Sequence, residues 1–213
     1  VTARALIQHV PQAGGLRPQP LDYQSTYPGD KTGETFCLLV IQVDTGEIRT
    51  ANYEPLPLCR FGAGFFSEEK FGWWANDNRR VFFIDVARGA KIVSVVEFDT
   101  QSGETRCLFE ETSTTFVKLS HSILERPLFL PLPESNELIW FSERQGWGHL
   151  YLYDLNSGQL KHAVTEEESS TTKNKSSKNN QWLVRNILHF DAKQRELLIQ
   201  TAAGDPNISP YYR

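Results

Sequence analysis

The amino-acid sequence predicts an all-β protein, a partial β-propeller of about three to four blades, each a four-stranded antiparallel meander. Three observations support this fold class. Short runs of strand-forming residues alternate with turn residues over most of the chain, helix signals are nearly absent, and one pattern recurs about every 55 residues. A β-sandwich would also have short strands, but it would not have this internal period.

One type of turn gives the register of the repeat. The turns at 44–46, 99–103 and 154–158 each begin with aspartate, end with glycine, and join an apolar strand to a more polar one. The closing glycines Gly46, Gly103 and Gly158 are 57 and 55 residues apart in the sequence. Because strands joined by tight turns pair with each other, each repeat predicts an antiparallel meander.

Two complete units lie in the middle of the chain. The first predicts a strand that opens at 72–74 and then strands at 81–86, 91–98 and 104–109. The second predicts strands at 127–131, 138–142, 150–153 and 159–164. Aromatic and β-branched residues dominate both units, and these residue types favour strands.

Shorter versions of the pattern occupy both ends. Residues 1–10 predict a strand with no earlier strand to pair with, and 11–30, with their prolines and glycines, predict an extended loop. Residues 34–43 and 47–53 predict a hairpin, and 54–59 a proline-broken connection. Further strands are predicted at 184–190 and 196–201, with a third beginning at 209–213, while 64–70 carry the one helical-turn signal.

We expect one propeller domain over residues 1–213, with approximate blades at 1–55, 65–111, 126–165 and 182–213. Residues 166–181 contain no apolar side chain, so they predict a flexible polar loop between blades. Two complete units between two partial ones indicate a segment of a larger propeller. The alternative is a four-bladed ring closed by the two partial ends.

Composition limits the classes of partner and site. The net charge of -4 argues against nucleic acid as the main partner, which would require a basic patch. No apolar run reaches the roughly 18 residues that span a membrane, so no membrane span is expected. The three cysteines, Cys37, Cys59 and Cys107, have no metal-ligand spacing, so no metal site is expected and we interpret them as small buried residues.

Several stretches, taken in order, resemble the β-propeller region of dipeptidyl peptidase IV-like serine peptidases, in the prolyl oligopeptidase superfamily. The strongest marker is 142–154, whose sequence is SERQGWGHLYLYD. Four others agree in order along the chain: 10–18, the blade that opens at Trp73-Trp74 and runs to Glu111, Thr165 with 182–184, and 205–213.

This resemblance implies an eight-bladed propeller in front of an α/β-hydrolase domain, with peptide substrates in the cavity between them. The family releases N-terminal dipeptides, usually after Pro or Ala, with a Ser/Asp/His triad on the hydrolase domain. Such a serine sits in a G-x-S-x-G turn, and the sequence has none. We therefore expect a non-catalytic propeller segment with no catalytic residues and no cofactor, which gates and shapes the substrate cavity.

The resemblance also implies partners and a compartment. The expected partners are the hydrolase domain of the same protein and peptide substrates, with no nucleic acid, and a homodimer of the full enzyme is compatible with the family. Family members are found in the bacterial periplasm or cytoplasm. The alternative function is that of a free-standing β-propeller module that binds a protein or ligand.

Two positions are candidates for contact with substrate. Arg126 precedes the first strand of its unit, where some family members carry an arginine that lines the extended substrate pocket; the alternative is an arginine at a strand edge, paired with Glu125 or Glu143. Glu68-Glu69 resembles the family's amine-binding glutamate pair in type. In the family, however, the pair precedes the stretch that 10–18 resemble, whereas Glu68-Glu69 follows it. The expected amine anchor therefore lies outside this chain, and Glu68-Glu69 is interpreted as a solvated loop.

The tryptophans and two histidines within strand patterns, His149 and His189, are interpreted as structural. The five histidines are scattered and none has a cysteine or aspartate at metal or triad spacing; they are His9, His121, His149, His162 and His189. Four tryptophans fall at corresponding blade edges, where packing between blades is the expected role and an aromatic ligand cage the alternative; they are Trp73, Trp74, Trp147 and Trp182.

Overall fold

The structure, a computed structural model, describes residues 4–11, 18–25, 35–57, 72–120, 127–165, 182–203 and 211–212, the first two ranges and the last as backbone only. Among these residues every regular element is a β-strand except a single 3₁₀ turn at Pro133–Ser135. The predicted all-β class is therefore confirmed. In the part that the structure describes, no helix is long and apolar enough to cross a membrane.

An N-terminal hairpin begins the described chain. Strand β1 (Arg4–Pro11) pairs antiparallel with β2 (Pro18–Ser25) along its whole length. The loop predicted for 11–30 is thus wrong at 18–25. Strand β2 tolerates Pro18 and Pro20 because it pairs with β1 alone, and an edge strand has one side where a missing N–H breaks no ladder bond.

The next element is a split hairpin, residues 35–57, whose arms pair in two separate places. Its strands are β3 (Thr35–Phe36), β4 (Leu39–Ile41), β5 (Ile48–Thr50) and β6 (Leu56–Pro57). Strand β4 pairs with β5 and β3 with β6. The single strand predicted at 34–43 is therefore interrupted, although the turn at 44–46 is where the sequence predicts it, with Gly46 at φ 73°.

Two four-stranded antiparallel sheets form the middle of the protein. Sheet A has strands β7 (Gly72–Trp74), β8 (Arg80–Val86), β9 (Ile92–Asp99) and β10 (Thr105–Thr112), in spatial order β10-β9-β8-β7. Sheet B has strands β11 (Phe129–Leu132), β12 (Glu137–Ser142), β13 (His149–Asp154) and β14 (Leu160–Ala163), in order along the chain. Both are the meanders that the sequence predicts.

Sheet C closes the described chain with three strands. They are β15 (Trp182–Asp191), β16 (Glu196–Ala203) and β17 (Tyr211–Tyr212), in order along the chain. Strand β17 is the third strand expected near the C-terminus, and it pairs with β16 at Ile199 and Gln200. Four-stranded antiparallel sheets repeated along the chain make this a partial β-propeller.

Consecutive sheets pack face to face through three apolar clusters. Between sheets A and B the cluster includes Phe82, Val95 and Trp140, and between sheets B and C it includes Phe141 and Ile199. A third cluster joins the split hairpin to sheet A and is formed by Ala51, Leu56, Phe83, Val96 and Phe98. Every residue of β12 is buried, because sheet B has a neighbour on each face.

The repeated turn glycines allow the sheets to approach closely. Gly103 and Gly158 have φ of 84° and 74°, in the region that side chains rarely adopt. A Cβ at Gly103 would lie 3.3 Å from the carbonyl oxygen of Thr50 in the split hairpin. A Cβ at Gly158 would overlap the carbonyl oxygen of Leu108 on the outermost strand of sheet A. Turn geometry and packing between sheets therefore both require glycine at 158.

We predict that Gly158→Ala destabilises the protein far more than Gly46→Ala. Both substitutions place a side chain at positive φ, at a cost of about 1 kcal/mol. At Gly158 the new methyl must also displace backbone of sheet A, whereas Gly46 has open space around it. Urea unfolding should give about 3 kcal/mol or more for Gly158→Ala. Equal losses for the two variants would contradict the contact.

Candidate functional site

The two ends of the sheets differ in the connections they carry. At the turn end, hairpin turns join β7 to β8, β9 to β10, β11 to β12 and β13 to β14. At the crossover end are the β8–β9 and β12–β13 turns and the segment 113–120, which leaves β10 toward sheet B. Val117 N–H donates to Ala90 O there, and Lys118 pairs with Glu143 at 3.1 Å. The crossover end is the candidate site, because the described residues on either side of Arg126 in the sequence, Leu119 and Leu128, meet there.

A partly buried carboxylate at the crossover end joins sheets A and B. Glu111, at the end of β10, accepts hydrogen bonds from Trp140 Nε1 at 2.8 Å and Ser142 Oγ at 2.6 Å. Arg144 Nη2 lies 3.3 Å from the same carboxylate. Three donors on sheet B thus compensate one charge on sheet A, as burial of a charge requires.

Arg144 is held on several sides by sheet B. Its guanidinium lies over the ring of Tyr151, 4.2 Å from the centroid, and donates to Tyr153 Oη at 2.8 Å. Burial alone would lower the pKa of Arg144, but the hydrogen bond to Tyr153 and the charge of Glu111 raise it above its ordinary value. Arg144 therefore carries a permanent positive charge, and the contacts described above are all with side chains of sheets A and B.

Ser142 has no role as a nucleophile in this arrangement. Its side chain is fully buried, its hydroxyl donates to Glu111, and it accepts hydrogen bonds from the backbone and side-chain N–H groups of Arg144. A catalytic serine instead needs an adjacent base and an open path to substrate. The cluster of Glu111, Ser142 and Arg144 is consequently a joint between sheets.

A second polar cluster lies on the face of sheet A that packs on the split hairpin. Tyr53 donates to Asp85 Oδ2 at 3.0 Å, and Ser94 donates to Glu110 Oε1 at 3.0 Å. An open recess of about 470 Å³ adjoins it, lined by residues 52–55. Burial, and then the charge of Asp85, raise the pKa of Tyr53 well above its ordinary value, so its hydroxyl stays a neutral donor.

The structure corrects the interpretation of the described cysteines. Cys37 and Cys107 are free and exposed, so the prediction that they are buried is wrong; Cys59 lies outside the described residues. Cys37 lies between β3 and β4, and Cys107 lies on β10, an edge strand of sheet A. Partial burial, and then the charge of Glu110, raise the pKa of Cys107, which keeps the thiol protonated and weakly nucleophilic.

Two of the four tryptophans pack as predicted. The Trp73 ring lies 5.9 Å from Phe82 and 5.8 Å from Phe129, so it links sheets A and B. Trp182 meets the ring of His149 edge-on at 5.0 Å, between sheets B and C, which places that histidine in a structural role.

Trp74 and Trp147 differ from the prediction. They are 47% and 41% exposed, so packing between blades does not account for them. Trp74 follows Trp73 on the edge strand β7, so the two side chains point to opposite faces of sheet A. Trp147 follows Gly146, at φ 93°, in the β12–β13 turn.

The substrate-contact candidates lie outside the described residues. These are Arg126 and the pair Glu68-Glu69. The described residues that flank Arg126 meet at the crossover end, where Leu128 N–H donates to Leu119 O. Among the described residues no group of three or more His, Cys, Asp and Glu side chains is arranged to hold a metal ion.

At the turn end a carboxylate joins sheets B and C. Glu137 is buried at the start of β12 and pairs with Lys161 at 2.6 Å and with Arg195 at 2.7 Å. Burial opposes its ionisation, but hydrogen bonds from Lys161, Ser135 and Arg195 outweigh it and lower the pKa of Glu137 to about 2. Sequence reasoning missed this group, because its partners are 24 and 58 residues away in the sequence, Lys161 on β14 and Arg195 in the turn before β16.

Comparison with known proteins identifies the family. The family model of the dipeptidyl peptidase IV (DPP IV) N-terminal region matches residues 7–213. Two solved structures share the fold: a Bacteroides ovatus protein assigned as a dipeptidyl aminopeptidase IV (18% identity, TM-score 0.63) and Porphyromonas gingivalis dipeptidyl peptidase 4 (14% identity, TM-score 0.65). Each match covers 99% of this chain but 28% and 26%, respectively, of the solved chain. The chain thus spans just over a quarter of the length of these proteins.

We predict that Glu137 contributes stability above pH 4.5 that is lost as the pH falls toward 2. Its pKa is about 2 in the folded protein against 4.5 for a free glutamate, so acid favours the unfolded chain. Because Lys161 and Arg195 are each nearly half exposed, we expect on the order of 2 kcal/mol.

The measurement is urea unfolding of the native protein and of Glu137→Gln between pH 2 and 6. The difference in unfolding free energy between the two proteins should increase as the pH rises from 2 to 6. Glu134→Gln, an exposed carboxylate in the same turn, is the matched control and should leave the profile unchanged. A constant difference between Glu137→Gln and the native protein would contradict the pKa assignment.

Proposed function

The chain belongs to the dipeptidyl peptidase IV N-terminal region family, and we propose that it is a non-catalytic propeller segment of a serine exopeptidase that releases N-terminal dipeptides. The family match over 7–213 is the observation that carries this proposal. The sequence has no G-x-S-x-G turn. The one fully buried serine with a carboxylate partner, among the described residues, is committed to the joint between sheets A and B.

In this proposal the segment forms part of an eight-bladed ring that shapes the substrate cavity and gates access to it. The amine anchor and the Ser/Asp/His triad come from other parts of the protein, the triad from an α/β-hydrolase domain. A wall of a cavity must hold its shape while substrate passes. The crossover end meets that need, because Glu111 and Arg144 lock sheet A to sheet B beneath its turns.

The position of Arg126 in the sequence supports a role in the cavity. It directly precedes Pro127 and leads into β11, and the residues that flank it are joined at the crossover end. A guanidinium donates several hydrogen bonds in a fixed plane, which suits the carbonyl oxygens of an extended peptide. We propose that Arg126 contacts the substrate beyond the residues that are cleaved off.

We predict that the 213-residue chain alone does not hydrolyse a Gly-Pro chromophore substrate, whereas the longer protein that contains it does. The triad is expected on the hydrolase domain, so the chain alone lacks the nucleophile. The measurement is release of the chromophore, with a serine-directed inhibitor as control. Inhibitor-sensitive turnover by the chain alone would refute the missing triad. An inactive longer protein that still binds peptides would favour a binding module.

We also predict that Arg126→Ala in the longer protein raises KM for peptides of four or more residues roughly tenfold with little change in kcat. Loss of a hydrogen bond from a charged donor costs this much when the contact is equal in the ground and transition states. Arg79→Ala, at the turn end and paired with Asp99, is the control and should leave KM unchanged. Unaltered KM in Arg126→Ala would exclude the pocket role.

A further inference from the structure

We draw no further inference here: the strongest candidate, the pair Asp85 and Glu110 on sheet A beside the open recess that residues 52–55 line, is a group of acidic side chains, and nothing else among the described residues points to a ligand there.

Discussion

The burial of sheet B on both faces is the constraint on which the rest of the structure depends. A strand such as β12 loses contact with water on both sides, so alternate residues must match two different neighbours. Trp140 packs toward sheet A and Phe141 toward sheet C. Because both clusters share this sheet, the positions of sheets A and C relative to each other are fixed through β12. Glycine at 158 then allows the turn of sheet B to reach sheet A.

Charged groups fasten the edges of this apolar stack at both ends. Glu111 with Arg144 joins sheets A and B at the crossover end, and Glu137 with Arg195 joins sheets B and C at the turn end. Each carboxylate is largely buried and has several donors, which is the condition under which a buried charge does not destabilise a fold. These directional contacts add to the close packing of the apolar faces in setting the register between sheets.

Most of the fold follows from the sequence, because strand pairing in a meander is local. The apolar runs and the glycine turns give sheets A and B nearly to the residue, and the 55-residue spacing of Gly103 and Gly158 gives the propeller class. The prediction fails where partners decide the outcome: β2 contains two prolines, and only its pairing with β1 shows it to be a strand. The polar joints escaped prediction for the same reason, since nothing in 137–142 indicates that Arg195 will reach Glu137.

The charged groups of the two joints are occupied within the fold. Glu111 and Glu137 are paired with cations from the same chain, and the hydroxyl of Ser142 is engaged in the network of Glu111. Catalytic sites leave at least one perturbed group open to substrate. Here Glu137 and Arg144 are closed within the joints, whereas Tyr53 adjoins the open recess and Cys107 is exposed. The two joints therefore act within the fold, by holding neighbouring sheets in place.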